Sequence, residues 1–251
     1  MNLLGNTVFI TGGGSGIGRG LAEAFHKRGN RVIIAGRREG PLREVCAANG
    51  GMNWFALDVT KRENLRTVAE QVTAQFPELN AVIANAGVQR VHDFAADEVD
   101  GDGAEQEVAT NLLGLIRVCA AFLPHLRKQP AATLINVSSA LAFVPIAMIP
   151  VYATKAAVHS FTVSLRHQLK DSSVKVIELM PPYVATDLNR ALAGRVPETS
   201  GDRPMPLDEF IAKAMGELST ASEEAAVGFA KNTLAAGWTE ASRTIFAKLN
   251  H

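Results

Sequence analysis

Six short runs of aliphatic and β-branched residues recur along the chain, and each is separated from the next by a longer helical pattern. The runs cover residues 7–11, 31–36, 53–59, 81–86, 132–139 and 175–180, and the helical patterns cover about 16–28, 39–48, 62–75, 104–128 and 152–170. Strands that are apolar on both faces are typical of a parallel sheet covered by helices on each side. The alternation predicts an α/β fold, a single doubly wound parallel sheet with helices on both faces (Rossmann-like).

The size and charge of the chain limit the classes of ligand and partner that we expect for it. Its 251 residues, 47% of them hydrophobic, can bury one large core, so we expect a single domain over residues 1–251. Lys plus Arg equals Asp plus Glu at 25 each, and this zero net charge favours a small-molecule ligand over nucleic acid. The two cysteines, Cys46 and Cys119, form no C-x-x-C pair. We therefore predict no disulfide framework and no metal site, and a reducing, cytoplasmic compartment.

No segment of the sequence is predicted to enter a membrane. The first apolar run leads straight into a glycine turn, and no basic leader precedes it. The longest apolar stretches, such as LLGLIRVCAAFL, are interrupted by Arg117 and are shorter than a bilayer requires. We therefore expect no membrane partner.

The segment TGGGSGIG, residues 11–18, follows the first predicted strand and opens the first predicted helix. Glycines allow a tight turn and a close approach of the backbone to a pyrophosphate, whose charge is met by free N–H groups at the helix N-terminus. Arg19 follows Gly18, where a P-loop would have lysine and then serine or threonine. The turn therefore indicates a dinucleotide rather than ATP.

The end of the second predicted strand discriminates between the two nicotinamide dinucleotides. An acidic residue there binds a ribose 2′-hydroxyl, whereas a basic residue accommodates a 2′-phosphate. This chain has Gly36 followed by Arg37 and Arg38, and a guanidinium can hold a phosphate with two hydrogen bonds. NADP(H) is therefore favoured, and NAD(H) stays possible. The alternative is a pair of solvated arginines at the start of a helix.

Residues 187–206 differ from the rest of the chain, since they contain three prolines, two glycines and mixed charges. Ligands of doubly wound sheets lie outside the carboxyl ends of the strands, and this segment follows a strand, so a lid or mobile loop is predicted. A surface loop without a role is the alternative. Helices over about 207–218 and 222–235 are predicted to follow it.

Several motifs together resemble the short-chain dehydrogenase/reductase family, and the likeness covers nearly the whole chain. TGGGSGIG is similar to the family's T-G-x-x-x-G-x-G turn, NAG (85–87) to the motif after its fourth strand, and INVSS and VYATK to its serine strand and tyrosine-lysine helix. PPYVATDL and LDEFIAKAMGEL resemble a poorly characterised subgroup named for a link to teichoic-acid D-alanylation. Pro182 stands where the wider family has glycine, and the subgroup name establishes no substrate.

The resemblance also implies which residues bind the cofactor beside Arg37 and Arg38. They are Gly12, Gly14, Ser15, Gly16, Ile17 and Gly18 of the turn, Asp58 and Val59 around the adenine, Asn85, Ala86 and Gly87, the pair Tyr152 and Lys155, and Val184 and Thr186 against the nicotinamide carboxamide.

The family's chemistry interconverts a carbonyl and an alcohol by hydride transfer, with Tyr152 here as the acid-base. The ammonium of Lys155 would lower the pKa of the phenol and bind ribose hydroxyls. Ser139, thirteen residues before Tyr152, would hold and polarise the substrate oxygen, and Asn111 would hold a water that returns the proton. The family further implies a homodimer or homotetramer, built on the apolar helices 104–128 and 152–170.

The spacing of the tyrosine and the lysine departs from the family pattern. The family has Y-x-x-x-K, whereas this chain has Y-A-T-K, with Lys155 at i+3 from Tyr152. In an α-helix this rotates the lysine by about 100° and lowers it by about 1.5 Å relative to i+4. Pro150 places the tyrosine in the first turn, where a 3₁₀ turn can correct part of the offset. Two hypotheses follow, an active NADP(H)-dependent enzyme and an NADP(H)-binding sensor or scaffold with little activity.

Other features yield less specific interpretations. His159 and His167, on the predicted tyrosine helix, are assigned to packing or to a subunit interface. The apolar stretch 140–150 favours a hydrophobic or bulky carbonyl substrate, although core packing would explain the same residues. The sequence predicts neither the substrate itself nor the direction of the reaction.

Overall fold

One parallel sheet with helices on both faces forms the framework of the protein. The computed structural model describes residues 1–192, 203–221 and 223–249. The strands are β1 Thr7–Thr11, β2 Arg31–Gly36, β3 Asn53–Ala56, β4 Leu79–Ala84, β5 Ala132–Val137, β6 Val174–Met180 and β7 Glu224–Ala226. They pair in parallel in the order β3-β2-β1-β4-β5-β6-β7. The predicted doubly wound sheet is confirmed.

The helices cover both faces of this sheet. They are α1 Gly16–His26, α2 Glu39–Ala48, α3 Arg62–Gln75, α4 Gly101–Val108, α5 Leu115–Leu126, α6 Thr154–Gln168, α7 Leu207–Thr220, α8 Ala230–Gly237 and α9 Glu240–Leu249. A π-helical segment, Ala109–Gly114, joins α4 to α5. Short 3₁₀ turns lie at Ala140–Ala142, Pro150–Ala153 and Asp187–Leu192.

Alternate residues of the strands pack into two separate hydrophobic cores, one on each face of the sheet. Val8 and Ile10 of β1 face the layer of α1, α2 and α7, where Phe210 is fully buried. Phe9 points to the opposite layer of α3, α5 and α6, and its ring lies 4.6 Å from the ring of Phe122. This alternation explains why strands of a parallel sheet are apolar on both faces.

The strand order reverses between β1 and β4, and a crevice opens there at the carboxyl ends of the strands. At this point Thr11, the last residue of β1, is hydrogen-bonded to the loop that follows β4. Its hydroxyl oxygen accepts hydrogen bonds from the backbone N–H groups of Asn85 and Ala86, each 3.0 Å long. The loop after β4 is therefore fixed beside the glycine turn.

The helical run from α4 to α5 corrects one prediction. It is continuous over residues 101–126, so it is long and apolar enough by length and composition to cross a membrane, contrary to our expectation. Arg117 was expected to interrupt the apolar stretch. In the structure its guanidinium donates to the carbonyl of Thr60, and the helix continues through this residue. Val118 and Phe122 are buried against the sheet, as in the core helix of a globular protein.

The C-terminal part of the fold also differs from prediction. Helix α7 forms where it was predicted, but residues 224–226 form β7, so the helix predicted over 222–235 is wrong in its first half and begins only at Ala230. The segment pairs in parallel with β6, with Ala225 opposite Leu179, and Gly228 at φ 57° then turns the chain before α8. Edge pairing of three residues therefore overrides the helical pattern. Of the predicted lid, residues 193–202 lie outside the described residues.

Candidate active site

A cleft of about 790 Å³ opens at the carboxyl ends of β1, β4, β5 and β6. Nearly all residues that the sequence assigns to a cofactor or to catalysis line it, namely Gly12, Gly14, Ser15, Gly16, Ile17, Gly18, Arg37, Arg38, Asp58, Val59, Asn85, Ala86, Gly87, Ser139, Tyr152, Lys155, Val184 and Thr186. Asn111 does not line the cleft and lies behind it. Residues distant in sequence are thus brought together at one sheet edge.

The glycine turn has the backbone that its sequence predicts. Gly12 and Gly16 have φ values of 71° and 52°, in the left-handed region that glycine adopts at little cost. Gly18, in the first turn of α1, is so close to the strand end that a Cβ atom would lie 2.3 Å from the carbonyl oxygen of Gly12. The turn therefore forms an open cradle at a helix N-terminus, which fits the pyrophosphate of a dinucleotide.

We expect Gly18→Ala to abolish nucleotide binding and to lower the free energy of unfolding by about 1–3 kcal/mol, because the added methyl group displaces the backbone of Gly12. Gly216→Ala is the matched control, since a Cβ on that residue of α7 meets nothing within 4 Å. It should raise stability by about 0.5–1 kcal/mol. Urea unfolding and NADPH titration of both variants check this, and normal nucleotide binding by Gly18→Ala would contradict it.

Charged side chains surround the adenosine end of the cleft. Arg38 donates a hydrogen bond of 3.3 Å to the hydroxyl of Ser15 in the glycine turn, so it faces the cleft, and Arg37 lies beside it. Burial opposes ionisation of Asp58, but hydrogen bonds from Thr60 and the nearby Arg37 outweigh it and lower the pKa of that carboxyl. Two guanidinium groups are thus available here for a phosphate.

Asn111 ties the helical layer to the loop after β4. Its Oδ1 accepts from the N–H of Val88 and its Nδ2 donates to the carbonyl of Val88, both at 2.8 Å. It lies in the π-helical segment Ala109–Gly114, and such segments occur often at functional sites. The side chain is therefore fixed by the backbone, and its predicted role in holding a water stays a prediction.

A 3₁₀ turn, Pro150–Ala153, carries Tyr152 directly before the α-helix that carries Lys155. The N–H of Tyr152 donates to the carbonyl of Ile149, and that of Thr154 donates to Val151, both in the i→i+3 pattern. A 3₁₀-helix has about three residues per turn, so residues i and i+3 lie on the same side. Lys155 accordingly follows Tyr152 on one face, with its Nζ 5.8 Å from the centroid of the tyrosine ring. The tighter turn offsets part of the difference that the shorter spacing introduces.

The ammonium of Lys155 is buried in the floor of the cleft. Its Nζ donates a 2.9 Å hydrogen bond to the carbonyl of Val137 at the end of β5, and it lies next to Gly87 and the side chain of Asn111. Burial lowers the pKa of Lys155 to about 8, although the charges of Glu107 and Glu178 oppose that shift.

The pKa of the phenol differs from the sequence prediction. Burial raises the pKa of Tyr152, the charge of Glu107 adds to the rise, and the Ser139 hydroxyl offsets part of it. We expected the ammonium of Lys155 to lower that pKa. The reason for the difference is that desolvation and the charge of Glu107 act on the phenol, whereas Lys155, whose Nζ donates to the carbonyl of Val137, is not among the groups that shift its pKa.

Two buried carboxylates escaped the sequence analysis. Glu107 of α4 accepts from the N–H of Arg90, contacts Nε2 of His92 at 3.3 Å, and has a raised pKa because it is buried. Glu178 of β6 is bonded to Ser138 and to His159. The available signal for Glu178 was an acidic residue inside an otherwise apolar strand, VIELM. His159, which was assigned to packing or to a subunit interface, packs against Phe143 and also has a carboxylate partner.

The remaining wall of the cleft is mainly apolar. It is lined by Ala140, Leu141, Val144, Ile146, Leu188 and Phe229. At its mouth, the amide of Gln89 donates to Oδ1 of Asn189 at 3.1 Å, which links the loop after β4 to the loop after β6. This part of the cleft suits a substrate with a hydrophobic surface.

The comparisons with known proteins agree with this arrangement. The family sequence profile described as short chain dehydrogenase matches residues 6–195. The chain belongs to the short-chain dehydrogenase family. Within that family, DltE of Bacillus subtilis (strain 168), an uncharacterized oxidoreductase, is 45% identical over 193 residues, 76% of this chain and 76% of that protein. The predicted subgroup is confirmed.

Solved structures of short-chain dehydrogenases match the fold closely. One from Burkholderia cenocepacia J2315, in complex with NADP, has a TM-score of 0.81 and 26% identity, and the match covers 100% of both chains. One from Burkholderia phymatum, in complex with NAD, has a TM-score of 0.78 and 21% identity over 94% of this chain and 92% of that chain. These two structures hold NADP and NAD, respectively, and both share the fold of this chain.

Proposed function

We propose that this protein is an NADP(H)-dependent oxidoreductase that interconverts a carbonyl and an alcohol, with Tyr152 as the acid-base residue. The observation that carries the proposal is the 3₁₀ turn, which sets the tyrosine and Lys155 on one side of the chain facing the cleft that the glycine turn opens. The family supplies the reaction class, and the arrangement of side chains supports the proposed roles.

The cofactor would be held by the glycine turn, Arg37, Asp58 and the loop after β4. When bound, the nicotinamide dinucleotide supplies or accepts the hydride. Two arginines and no acidic residue follow β2 directly, which favours a 2′-phosphate and hence NADP(H).

Ser139 and Tyr152 are suited to bind the substrate oxygen. The Ser139 oxygen accepts from the N–H of Leu141 at 3.1 Å, and its hydroxyl hydrogen-bonds to the phenol of Tyr152, so the two hydroxyls lie together where both would donate to one carbonyl oxygen. The raised pKa of Tyr152 keeps the phenol protonated at neutral pH, the form that donates a proton to an alkoxide. We further propose that the ammonium of Lys155 stabilises the phenolate once the proton has been transferred.

Turnover tests the proposal. Wild-type protein is mixed with NADPH or NADH and a panel of apolar ketones, aldehydes and quinones, and loss of nicotinamide absorbance is followed. We expect carbonyl-dependent oxidation of NADPH, because the apolar wall suits such substrates. Tight binding of NADPH without any carbonyl-dependent oxidation would favour the sensor hypothesis.

We also propose that the protein is a homodimer or homotetramer built on the α4–α5 and α6 helices. Val108 and Leu113 on the first of these are 36% and 41% exposed, although both are apolar. An interface would remove these side chains from water. Size-exclusion chromatography with light scattering should give at least twice the monomer mass, and a stable monomer would contradict the proposal.

A further inference from the structure

Glu178 is an acidic residue at the centre of the buried strand β6, with 0% of its surface exposed. Ser138 donates a 2.5 Å hydrogen bond to its Oε1, and Nδ1 of His159 lies 2.8 Å from its Oε2. An ionised carboxylate is costly to bury unless hydrogen bonds satisfy it, and both oxygens are satisfied here. The strand therefore keeps a charge where an apolar residue would pack at lower cost, which indicates a role beyond packing.

The protonation of His159 decides whether that charge persists. Its Nε2 is buried and has no hydrogen-bond partner, and its ring packs between Phe143 at 4.6 Å and Trp238 at 5.3 Å. A protonated imidazolium would bury an unpaired N–H donor at that nitrogen, which is unfavourable. The neutral tautomer with hydrogen on Nδ1 leaves no donor unsatisfied and donates to Glu178. In this arrangement both oxygens of Glu178 act as acceptors, which is the hydrogen-bonding pattern that an ionised carboxylate requires.

The carboxylate of Glu178 and the ammonium of Lys155 contact consecutive residues at the end of β5. Lys155 binds the carbonyl of Val137 and Glu178 binds the hydroxyl of Ser138. Lys155 also precedes His159 by one turn of α6. The charge of Glu178 acts on the ammonium through this short span and opposes the lowering of its pKa by burial. Ser139, the next residue of the strand end, faces the cleft.

Other charged groups around Glu178 are already paired. Glu224 stands opposite it on β7 and accepts from Arg166 at 3.2 Å. Glu107, which also acts on Lys155, has His92 as its partner. Among the residues that the structure describes, no arginine or lysine forms an ion pair with Glu178. Among these described residues, no salt bridge to another lysine or an arginine therefore offsets the electrostatic effect of Glu178 on Lys155.

We infer that Glu178 is a positioning residue for the lysine: held as a carboxylate by Ser138 and His159, it keeps Lys155 in the ammonium form that binds cofactor hydroxyls and supports Tyr152. The inference rests on the proposed function, because it concerns the lysine of the same site. It adds a buried charge that acts on the site from behind the strand, without contact with cofactor or substrate.

The test is the pH dependence of NADPH binding, measured by nicotinamide fluorescence from about pH 6.5 to 9.5, a range that includes the pKa of Lys155. Affinity that depends on the ammonium is present below that pKa and lost above it. In Glu178→Gln the loss should move to lower pH by about one unit or more, because an opposite charge is removed. For a shift of one unit this corresponds to a roughly fivefold weaker complex near pH 8 and a roughly tenfold weaker one well above it.

A matched variant separates charge from packing. Glu178→Asp keeps the carboxylate, so it should keep the wild-type midpoint. A midpoint that moves as far in Glu178→Asp as in Glu178→Gln, or that does not move in Glu178→Gln, overturns the inference while the proposed function stands. Failure of wild-type protein to bind NADPH overturns the proposed function and this inference together.

A measurement on the wild-type protein needs no substitution in this cluster. Nitrogen-15 NMR of the histidine side chains, with His159 assigned by its absence from His159→Gln, reports which nitrogens carry hydrogen. The neutral form protonated on Nδ1 at pH 7.5 is expected. An imidazolium, which would cancel the charge of Glu178, or the tautomer protonated on Nε2 overturns the inference.

Discussion

Replacing Tyr152 with phenylalanine is expected to lower kcat for carbonyl reduction by about 10²–10⁴-fold, with little change in the affinity for NADPH. The phenol is the proton donor that the proposed reaction uses, and its raised pKa keeps the proton in place at neutral pH. The ring itself is retained by phenylalanine, so the contact with Lys155 and the local packing should persist. Steady-state kinetics and an NADPH titration of the same preparation measure both quantities.

The matched control is the same substitution at the chain's other tyrosine. The sequence contains two tyrosines. The second, Tyr183, also lines the cleft, but no lysine follows it at the third or fourth position. Tyr183→Phe should reduce kcat by much less, because its hydroxyl takes no part in the proposed proton transfer. Equal losses in the two variants, or full activity of Tyr152→Phe, would show that the acid-base residue is elsewhere.

Arg37→Asp is expected to reverse the cofactor preference. A guanidinium that binds a phosphate contributes on the order of 1.5–3 kcal/mol, and the new carboxylate would repel the 2′-phosphate while accepting from a ribose hydroxyl. The ratio of the NADH to the NADPH dissociation constant should therefore fall by about 10²-fold or more. Fluorescence titrations with both nucleotides, on wild type and variant, give this ratio.

Arg43→Asp provides the control for net charge. Arg43 lies on α2 near the same end of the sheet, pairs with Glu39, and does not line the cleft. The charge change is identical, so a general electrostatic effect would shift the preference equally in the two variants. We expect the shift only in Arg37→Asp. Equal affinity of the wild type for NADPH and NADH would contradict the proposed role of Arg37.

The sheet and the cleft could be predicted from sequence because each depends on local patterns. The apolar strands, the glycine turn and the positions of Ser139 and Tyr152 all lie in segments whose structure follows from a few adjacent residues. Strands β1, β2 and β5 illustrate this, since each begins where predicted. The topology then places their ends at one edge.

The features that were missed depend on contacts between distant residues. Strand β7 is too short to have a pattern of its own and exists because β6 offers an edge for pairing. The partners of Glu178, at Ser138 and His159, lie 40 and 19 residues away in sequence. The raised pKa of Tyr152 likewise reflects burial and Glu107, which periodicity cannot reveal.

The spacing of Tyr152 and Lys155 shows how far local reasoning extends. The sequence indicated that Pro150 permits a 3₁₀ turn, and the structure has one over Pro150–Ala153. Whether the resulting geometry supports hydride transfer depends on atomic placement, where an error of about 1 Å can cost on the order of a hundredfold in rate. Activity is therefore the decisive property.

The most direct measurement compares carbonyl-dependent NADPH oxidation by the wild type with that by a variant carrying one serine inserted between Tyr152 and Ala153, which restores the family spacing. If the 3₁₀ turn assembles the site, the wild type turns over and the insertion raises its rate by no more than about tenfold. A wild type that binds NADPH but reduces none of the carbonyls that the insertion variant reduces would contradict that claim and identify the natural chain as a nucleotide-binding protein with little activity.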